Sequence, residues 1–274
     1  MPPRRTIALC VLAALVASGC SRLTFIRQSP ERRGSEEVAP VYSVSDSAAT
    51  KQRLAANDQL ARATQRLRSG DIASAERDAQ DVLKRDPNSS AAHTLLAVIS
   101  DQRGDSAQAG KHYRRAAELA PSQGAAMNNY GAWLCQNGSV AESLVWFDRA
   151  IAAPNYASPG SALANAGGCA LRSGQYERAE RDLRQALRLD PANPYALASM
   201  AESEFRQQRY FEARAFNERR LAAAPATADV LQLAAQIEEK LGDRGAAGRY
   251  KQRLRAEFPD RATTAADSGE TQQP

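Results

Sequence analysis

The chain has 274 residues, of which 43% are hydrophobic but only 6% aromatic, and its formal net charge is +5. Abundant Ala, Leu, Arg, Gln and Glu favour helix over strand, because straight-chain side chains lose little rotamer freedom in a helix. Without Arg4 and Arg5 the net charge is 34 − 31 = +3, and the basic residues are spread along the chain. The composition predicts an all-α protein and argues against a nucleic-acid partner.

The first twenty residues have the pattern of an export signal. Arg4 and Arg5 precede the eleven-residue apolar core TIALCVLAALV, and small residues lead from there to Cys20. So short a run does not comfortably span a hydrocarbon core of ~30 Å, so residues 1–19 are predicted to be a signal peptide. The ending resembles a bacterial lipobox, which implies lipid attachment at Cys20. An ordinary secretory signal that happens to contain a cysteine is the alternative.

The residues that follow the predicted signal peptide, and those at the C-terminal end of the sequence, predict an anchor and two flexible segments. By resemblance to lipoprotein sorting in Gram-negative bacteria, Ser21 rather than Asp after the lipidated cysteine indicates the periplasmic face of the outer membrane. Two or more acyl chains hold a protein stably on a membrane. Residues 20–55 mix Ser, Pro, Gly and both charges and predict a lipidated N-terminus with a flexible tether, and residues 262–274 predict a disordered tail.

Between these segments one pattern recurs six times. A glycine column advances in steps of 34, 34, 36, 34 and 34 residues, with Gln208 at the one position where the glycine is missing. A small residue and a proline follow each turn in nearly the same register. The glycines of this column are Gly70, Gly104, Gly138, Gly174 and Gly242. A period of this length indicates stacked supersecondary units.

Each unit predicts a helix, a glycine turn and a second helix that ends before a proline. The pattern resembles the tetratricopeptide repeat (TPR), which implies an all-α solenoid of six helix-turn-helix units with a concave surface for partners. The predicted units are residues 56–89, 90–123, 124–159, 160–193, 194–227 and 228–261.

Two cysteines of the mature chain fall one repeat apart. Cys135 and Cys169 are predicted on the first helices of the third and fourth units, near the same end. Because the chain carries an export signal, this placement suggests a disulfide. Two small buried thiols that are not bonded are the alternative.

The resemblance to TPR proteins also implies which side chains face the concave groove. In units three to five these positions give a mostly apolar floor, suited to an extended segment or an amphipathic helix of a partner. Asparagines near them either bind a peptide backbone or tie adjacent helices together. The absence of Lys and Arg there argues against a carboxylate clamp. The predicted groove residues are Asn128, Asn129, Ala132, Asn165, Gly168, Leu171, Tyr195 and Phe205.

The sequence gives little support for catalysis. His93 and His112 are the only histidines, and no Cys, Asp or Glu clusters with them at ligand spacing. No glycine-rich phosphate loop is present either. We expect no metal, no cofactor, no small-molecule substrate and no enzymatic activity, and interpret both histidines as helix-packing or surface residues.

Two stretches carry a closer resemblance. NNYGAWLCQNG in the third unit and NAGGCALRSG in the fourth resemble the PilF/PilW family of type IV pilus biogenesis lipoproteins. The resemblance implies an outer-membrane pilotin that binds the secretin PilQ and promotes its outer-membrane localisation and multimer assembly. A different TPR lipoprotein scaffold, for outer-membrane protein assembly or for envelope hydrolases and proteases, is the alternative. The matching positions are Asn128, Asn129, Tyr130, Gly131, Leu134, Cys135 and Cys169.

Overall fold

The computed structural model describes residues 46–259, which form twelve α-helices and, within that range, no strand. The helices are α1 (Ala48–Arg68), α2 (Ile72–Arg85), α3 (Ser90–Gln102), α4 (Ser106–Leu119), α5 (Gly124–Gln136), α6 (Val140–Ala152), α7 (Pro159–Arg172), α8 (Tyr176–Leu189), α9 (Pro194–Arg206), α10 (Tyr210–Ala223), α11 (Ala228–Leu241) and α12 (Arg244–Glu257). The predicted fold class, an all-α TPR solenoid, is confirmed.

The helix pairs follow the predicted units except at the first boundary. Odd-numbered helices are the first helices of the units, and even-numbered helices are the second. Helix α1 begins at Ala48, so it extends into the stretch of residues 20–55 that is predicted to be a flexible tether. The reason is local: the stretch from Ala48 to Arg68 contains no glycine or proline and is rich in Ala, Gln, Leu and Arg, which propagate a helix readily.

The turns between paired helices use two adjacent residues. Gly70, Gly104 and Gly242 adopt φ angles of 85°, 78° and 83°, a region that costs glycine little. The aspartate that follows each of them caps the second helix, as Asp71 does by accepting a hydrogen bond from the Ser74 backbone amide at 3.2 Å. Capping of this kind stabilises a helix by about 1 kcal/mol.

Close approach of the two helices fixes the packing within the third and fourth units. A Cβ atom added at Gly131 would lie 2.9 Å from the Phe147 ring, and one added at Gly167 would lie 2.6 Å from Leu183. Both partner side chains are fully buried. Glycine at these first-helix positions therefore lets the second helix place a large apolar side chain directly against the first.

Contacts between the first helices of neighbouring units define the concave face of the solenoid. First helices touch the next first helix in the pairs α3–α5, α5–α7, α7–α9 and α9–α11. Within residues 46–259 no two second helices of neighbouring units make comparable contact. The first helices are thus closer together than the second helices, and the face they form is the concave one.

The turn of the fifth unit departs from the pattern. Gln208 stands in the glycine column and still adopts the left-handed conformation, with φ at 63°. For a residue with a Cβ this conformation costs about 1–2 kcal/mol. The neighbouring elements hold the chain in this turn despite that cost.

We predict that Gln208→Gly stabilises the protein by about 0.5–1 kcal/mol, since relief of the backbone strain exceeds the entropy gained by the unfolded chain. The reciprocal variant Gly174→Gln is expected to destabilise by a similar amount. A Cβ at Gly174 meets no atom within 4 Å, so no clash contributes. Urea unfolding followed by circular dichroism measures both, and shifts of the same sign would contradict the explanation.

Candidate functional site: the groove of the first helices

An open groove runs along the concave face between α7, α9 and α11. It consists of two adjoining cavities of about 470 and 460 Å³. The first lies toward α7 and the second lies between α9 and α11, and both are lined by Ala198, Glu202, Arg206, Asp229 and Val230. Because they share these residues, we treat them as one α7–α9–α11 groove.

Tyr195 and Gly168 form the α7 end of the groove. A Cβ at Gly168 would overlap the Tyr195 hydroxyl, so the glycine allows the ring to lie across α7. The ring remains 48% exposed, while burial of its hydroxyl raises the pKa of Tyr195. The tyrosine therefore presents a fixed, partly exposed aromatic surface to the groove.

Leu171 differs from its predicted role. It lines the groove beside Gly168 but is only 3% exposed, because its side chain packs into the core cluster that also contains Cys169 and Met200. The expectation that it offers apolar surface to a partner is therefore wrong. A charge at this position would disrupt the packing between units rather than test binding.

Phe205 lines the other end of the groove, between α9 and α11. Its ring packs edge-on against Tyr210, with centroids 5.6 Å apart and an interplanar angle of 60°. The side chain is half-buried. The contact with Tyr210 fixes the Phe205 ring at the groove wall, and part of the ring remains exposed to a ligand.

The asparagines lie elsewhere on the first helices. Nδ2 of Asn165 donates a hydrogen bond to Oδ1 of Asn128 at 3.0 Å, which ties α7 to α5. For this pair, the interpretation that asparagines join adjacent helices fits the structure. Asn129 is half-buried, and Ala132 packs against the core around the cysteines. All four of these predicted groove residues lie outside the α7–α9–α11 groove.

The groove carries arginines that sequence reasoning missed. Arg172 and Arg206, at the C-terminal ends of α7 and α9, both line it, although none of the predicted groove positions is Lys or Arg. Arg206 forms an ion pair with Glu202. Arg220 is buried and donates to the carbonyl oxygens of Ala224 and Pro225 at 3.1 and 3.2 Å. The helix-end positions of the first two arginines were the available signal, because the C-terminal turn of a first helix also reaches the concave face.

The structure joins Cys135 and Cys169 by a disulfide whose Cα atoms are 5.9 Å apart, between α5 and α7. Both side chains are buried. Ser143 Oγ lies 3.0 Å from Cys169 Sγ and donates to the Val140 carbonyl at 2.7 Å. Ser143 thus stands at one of the small-residue positions of the repeat, next to the Cys169 sulfur, and its hydroxyl has a hydrogen-bond acceptor.

A second groove on the same face lies between α1 and α3. It has a volume of about 360 Å³, and its lining includes Leu67, Thr94, Leu95 and Val98. These side chains make it more apolar than the α7–α9–α11 groove. The sequence prediction, which considered only units three to five, does not include it.

The two histidines lie against each other in the second unit. Nδ1 of His93 and Nδ1 of His112 are 3.0 Å apart, and Nε2 of His93 is 3.2 Å from the Pro87 carbonyl oxygen. Partial burial lowers the pKa of both residues. This geometry fits a contact that packs α3 against α4, and residues 46–259 contain no group of three potential metal ligands.

Several predictions lie outside the described residues. These are the signal peptide of residues 1–19, the lipid site Cys20, most of the tether and the whole tail at residues 262–274. Among residues 46–259 no helix combines the length and the apolar character needed to cross a membrane.

Comparisons with known proteins place these features in context. Two tetratricopeptide-repeat family models match the chain, one over residues 60–124 and 101–158 and the other over residues 170–237. The type IV pilus assembly protein PilF of Pseudomonas aeruginosa is 24% identical over 193 residues, which are 70% of this chain and 77% of PilF. The crystal structure of PilW, a widely conserved type IV pilus biogenesis factor, covers 77% of this chain and 98% of its own, with 29% identity and a TM-score of 0.71. The solved structure of P. aeruginosa PilF covers 76% of this chain and 94% of its own, with 22% identity and a TM-score of 0.69.

The helix pairs and the repeat matches together define a tetratricopeptide-repeat solenoid, a class of scaffold that typically mediates protein interactions without catalysis. Within this class the chain is homologous to the PilF/PilW proteins of type IV pilus biogenesis. The predicted resemblance of the chain to the PilF/PilW family is thereby confirmed.

We predict that loss of the disulfide destabilises the protein by about 3 to 4 kcal/mol, because the 34-residue separation closes a loop that restricts the unfolded chain. The variant Cys135→Ser/Cys169→Ser should melt at a lower temperature than the oxidised wild type, and dithiothreitol should lower only the wild-type melting temperature. Thiol titration of native protein purified without reductant is the independent check. Two free thiols in that titration would contradict the bonded state.

Proposed function

We propose that the chain is an outer-membrane lipoprotein adaptor of the pilotin type, which binds the secretin PilQ and promotes its localisation and multimer assembly during type IV pilus biogenesis. Homology to PilF and PilW supports a pilus-related TPR adaptor. The observation that carries the proposal is the α7–α9–α11 groove, where Tyr195 and Phe205 present partly exposed aromatic surface from packed helices.

The groove has the features of a protein-binding site rather than of a catalytic one. Aromatic residues on a rigid support contribute large contact area at a low cost in conformational entropy. Glu202 and Arg206, which line both cavities, supply polar contacts that fix the orientation of a partner. The chain acts as an adaptor when the groove holds a segment of the partner protein while the chain itself is anchored at a membrane.

The anchor in this proposal is Cys20. The charged, apolar and small-residue sequence that ends at this cysteine motivates it. Acylation there would hold the solenoid on the membrane in which PilQ assembles, and Ser21 makes the outer membrane the expected destination.

We predict that Tyr195→Glu and Phe205→Glu each abolish PilQ multimers while the solenoid stays folded. The new carboxylate is solvated in the free protein but must be desolvated against an apolar partner segment, at a cost of several kcal/mol. A cost of that size lowers affinity by at least roughly a hundredfold. Immunoblots of unheated outer-membrane fractions report the multimers, and thermal melts by circular dichroism report folding.

Phe211→Glu is the matched control for this experiment. Phe211 is 72% exposed on α10, outside the α7–α9–α11 groove, so the same substitution there should leave the multimers intact. Persistence of multimers in both groove variants, with normal melts, would remove the groove from the proposal. Loss of outer-membrane proteins in general, rather than of PilQ multimers alone, would instead favour the broader scaffold function.

We predict that Cys20→Ala abolishes incorporation of a palmitate analogue and releases the chain from outer-membrane fractions, because the acylated thiol is the proposed attachment point. Metabolic labelling followed by immunoprecipitation measures the first effect, and density-gradient fractionation measures the second. Cys10→Ala, within the predicted signal peptide, is the control and should be labelled normally. Equal labelling of Cys20→Ala and wild type would exclude lipid attachment at this cysteine.

A further inference from the structure

The only two histidines of the chain meet in the folded protein. His93 on α3 and His112 on α4 are 19 residues apart in the sequence, and their Nδ1 atoms lie 3.0 Å apart. The ring centroids are 5.3 Å apart and the ring planes are tilted by 37°, so the rings meet through these nitrogens and are not stacked. At this distance the two atoms form a hydrogen bond, which needs one donor and one acceptor. The contact therefore depends on how many protons the histidine pair carries.

The Pro87 carbonyl oxygen determines which nitrogen of the pair accepts. It lies 3.2 Å from Nε2 of His93. Because a carbonyl oxygen only accepts, Nε2 of His93 carries a proton, and in a neutral imidazole Nδ1 is then the acceptor. Nδ1 of His112 is consequently the donor. The tautomers of both rings follow from this one contact.

The two rings differ in how they take up a further proton. His112 can bind one on Nε2 and still donate from Nδ1, so the contact survives the first added proton. His93 cannot do the same, because its only lone pair is the one that accepts the hydrogen bond. A proton on that nitrogen places two N–H groups and two positive charges against each other, and like charges disfavour the charged form. Uptake of the second proton therefore breaks the contact.

The surroundings of the histidine pair do not neutralise a second charge. Both rings are half-buried. Burial lowers the pKa of His93, and Arg115 lowers it further, although the Pro87 carbonyl opposes the shift. Burial also lowers the pKa of His112, followed by the charges of His93 and Lys111. Within residues 46–259 no carboxylate contributes to either pKa, so the doubly protonated pair lies among cations only.

We propose that the histidine pair is an acid-sensitive contact, which holds α3 against α4 at neutral pH and opens when His93 is protonated. Charged His93 still donates from Nε2 to Pro87, so the His112 ring is the one that leaves. Pro87 lies between α2 and α3, in the segment that joins the first unit to the second. Acid therefore loosens the solenoid at this junction, and the inference does not depend on the proposed function.

The direction of the pH effect follows from proton linkage. A histidine whose pKa is lowered on folding contributes its full stability above the unfolded pKa of about 6.5, and the contribution is lost as the pH falls below that value. At about pH 5.0 an unfolded histidine binds its proton in roughly thirtyfold excess. Exclusion of one of the two protons from the folded pair thus lowers the folding equilibrium constant by up to about thirtyfold between about pH 7.5 and pH 5.0.

NMR titration of the two imidazole rings in the full mature chain tests the contact directly, since the chain contains no other histidine. His112→Phe keeps a ring beside His93 and removes the Nδ1 donor. We expect the pKa of His93 to be higher in this variant than in the wild type, because the burial stays while the opposing N–H group is gone. An unchanged pKa of His93 would show that burial alone acts on it and would overturn the proposal.

Urea unfolding at about pH 7.5 and about pH 5.0 measures the effect on stability. His93→Gln/His112→Gln replaces both rings by neutral amides, so its stability should fall less than that of the wild type over this interval. Gln185→His adds an isolated, exposed histidine on α8 and is the matched control, with the pH dependence of the wild type expected. Equal pH dependence of the wild type and the double variant would overturn the proposal. A wild-type dependence that disappears after dialysis against EDTA would also overturn it, since the pair would then hold a metal ion.

Discussion

The structure depends on one repeated contact, in which a small residue of the first helix lets a large side chain of the second helix pack directly against it. In the third and fourth units the space is so tight that only glycine fits opposite Phe147 and Leu183. The repeat places this contact at the same position in the second, third and fourth units, where the second helix carries Tyr113, Phe147 and Leu183. Because every unit buries its apolar face on its neighbours, the stack is stable only as a series.

This contact also determines where ligands can bind. Packing draws the first helices of successive units together, so their remaining side chains line the inner face. Small residues there, such as Gly168 and Ala198, leave room that Tyr195 and Phe205 only partly fill. The disulfide between α5 and α7 covalently joins the two units next to the groove. The binding surface is consequently built from rigid elements, which reduces the entropy lost when a partner docks.

Departures from the repeat pattern concentrate in the fifth unit. Gln208 adopts a conformation that favours glycine, Asn217 leaves a buried oxygen without a donor, and Arg220 is buried with its donors on backbone carbonyls. Each departure costs stability or requires a specific compensation. Local rules are commonly broken where a sequence serves function as well as folding, and the fifth unit supplies the central wall of the α7–α9–α11 groove.

The sequence by itself determined the all-α class and the number of units, because period, turn glycines and terminating prolines act through local backbone preferences. It failed at the start of α1, where helix propensity extends the helix beyond the repeat. Only the tertiary structure decided which side chains face the groove. Leu171 turns into the core, Asn165 bonds to Asn128, and Arg172 and Arg206 reach the groove from helix ends. These outcomes depend on how neighbouring units are rotated against each other, a long-range geometry that no single repeat encodes.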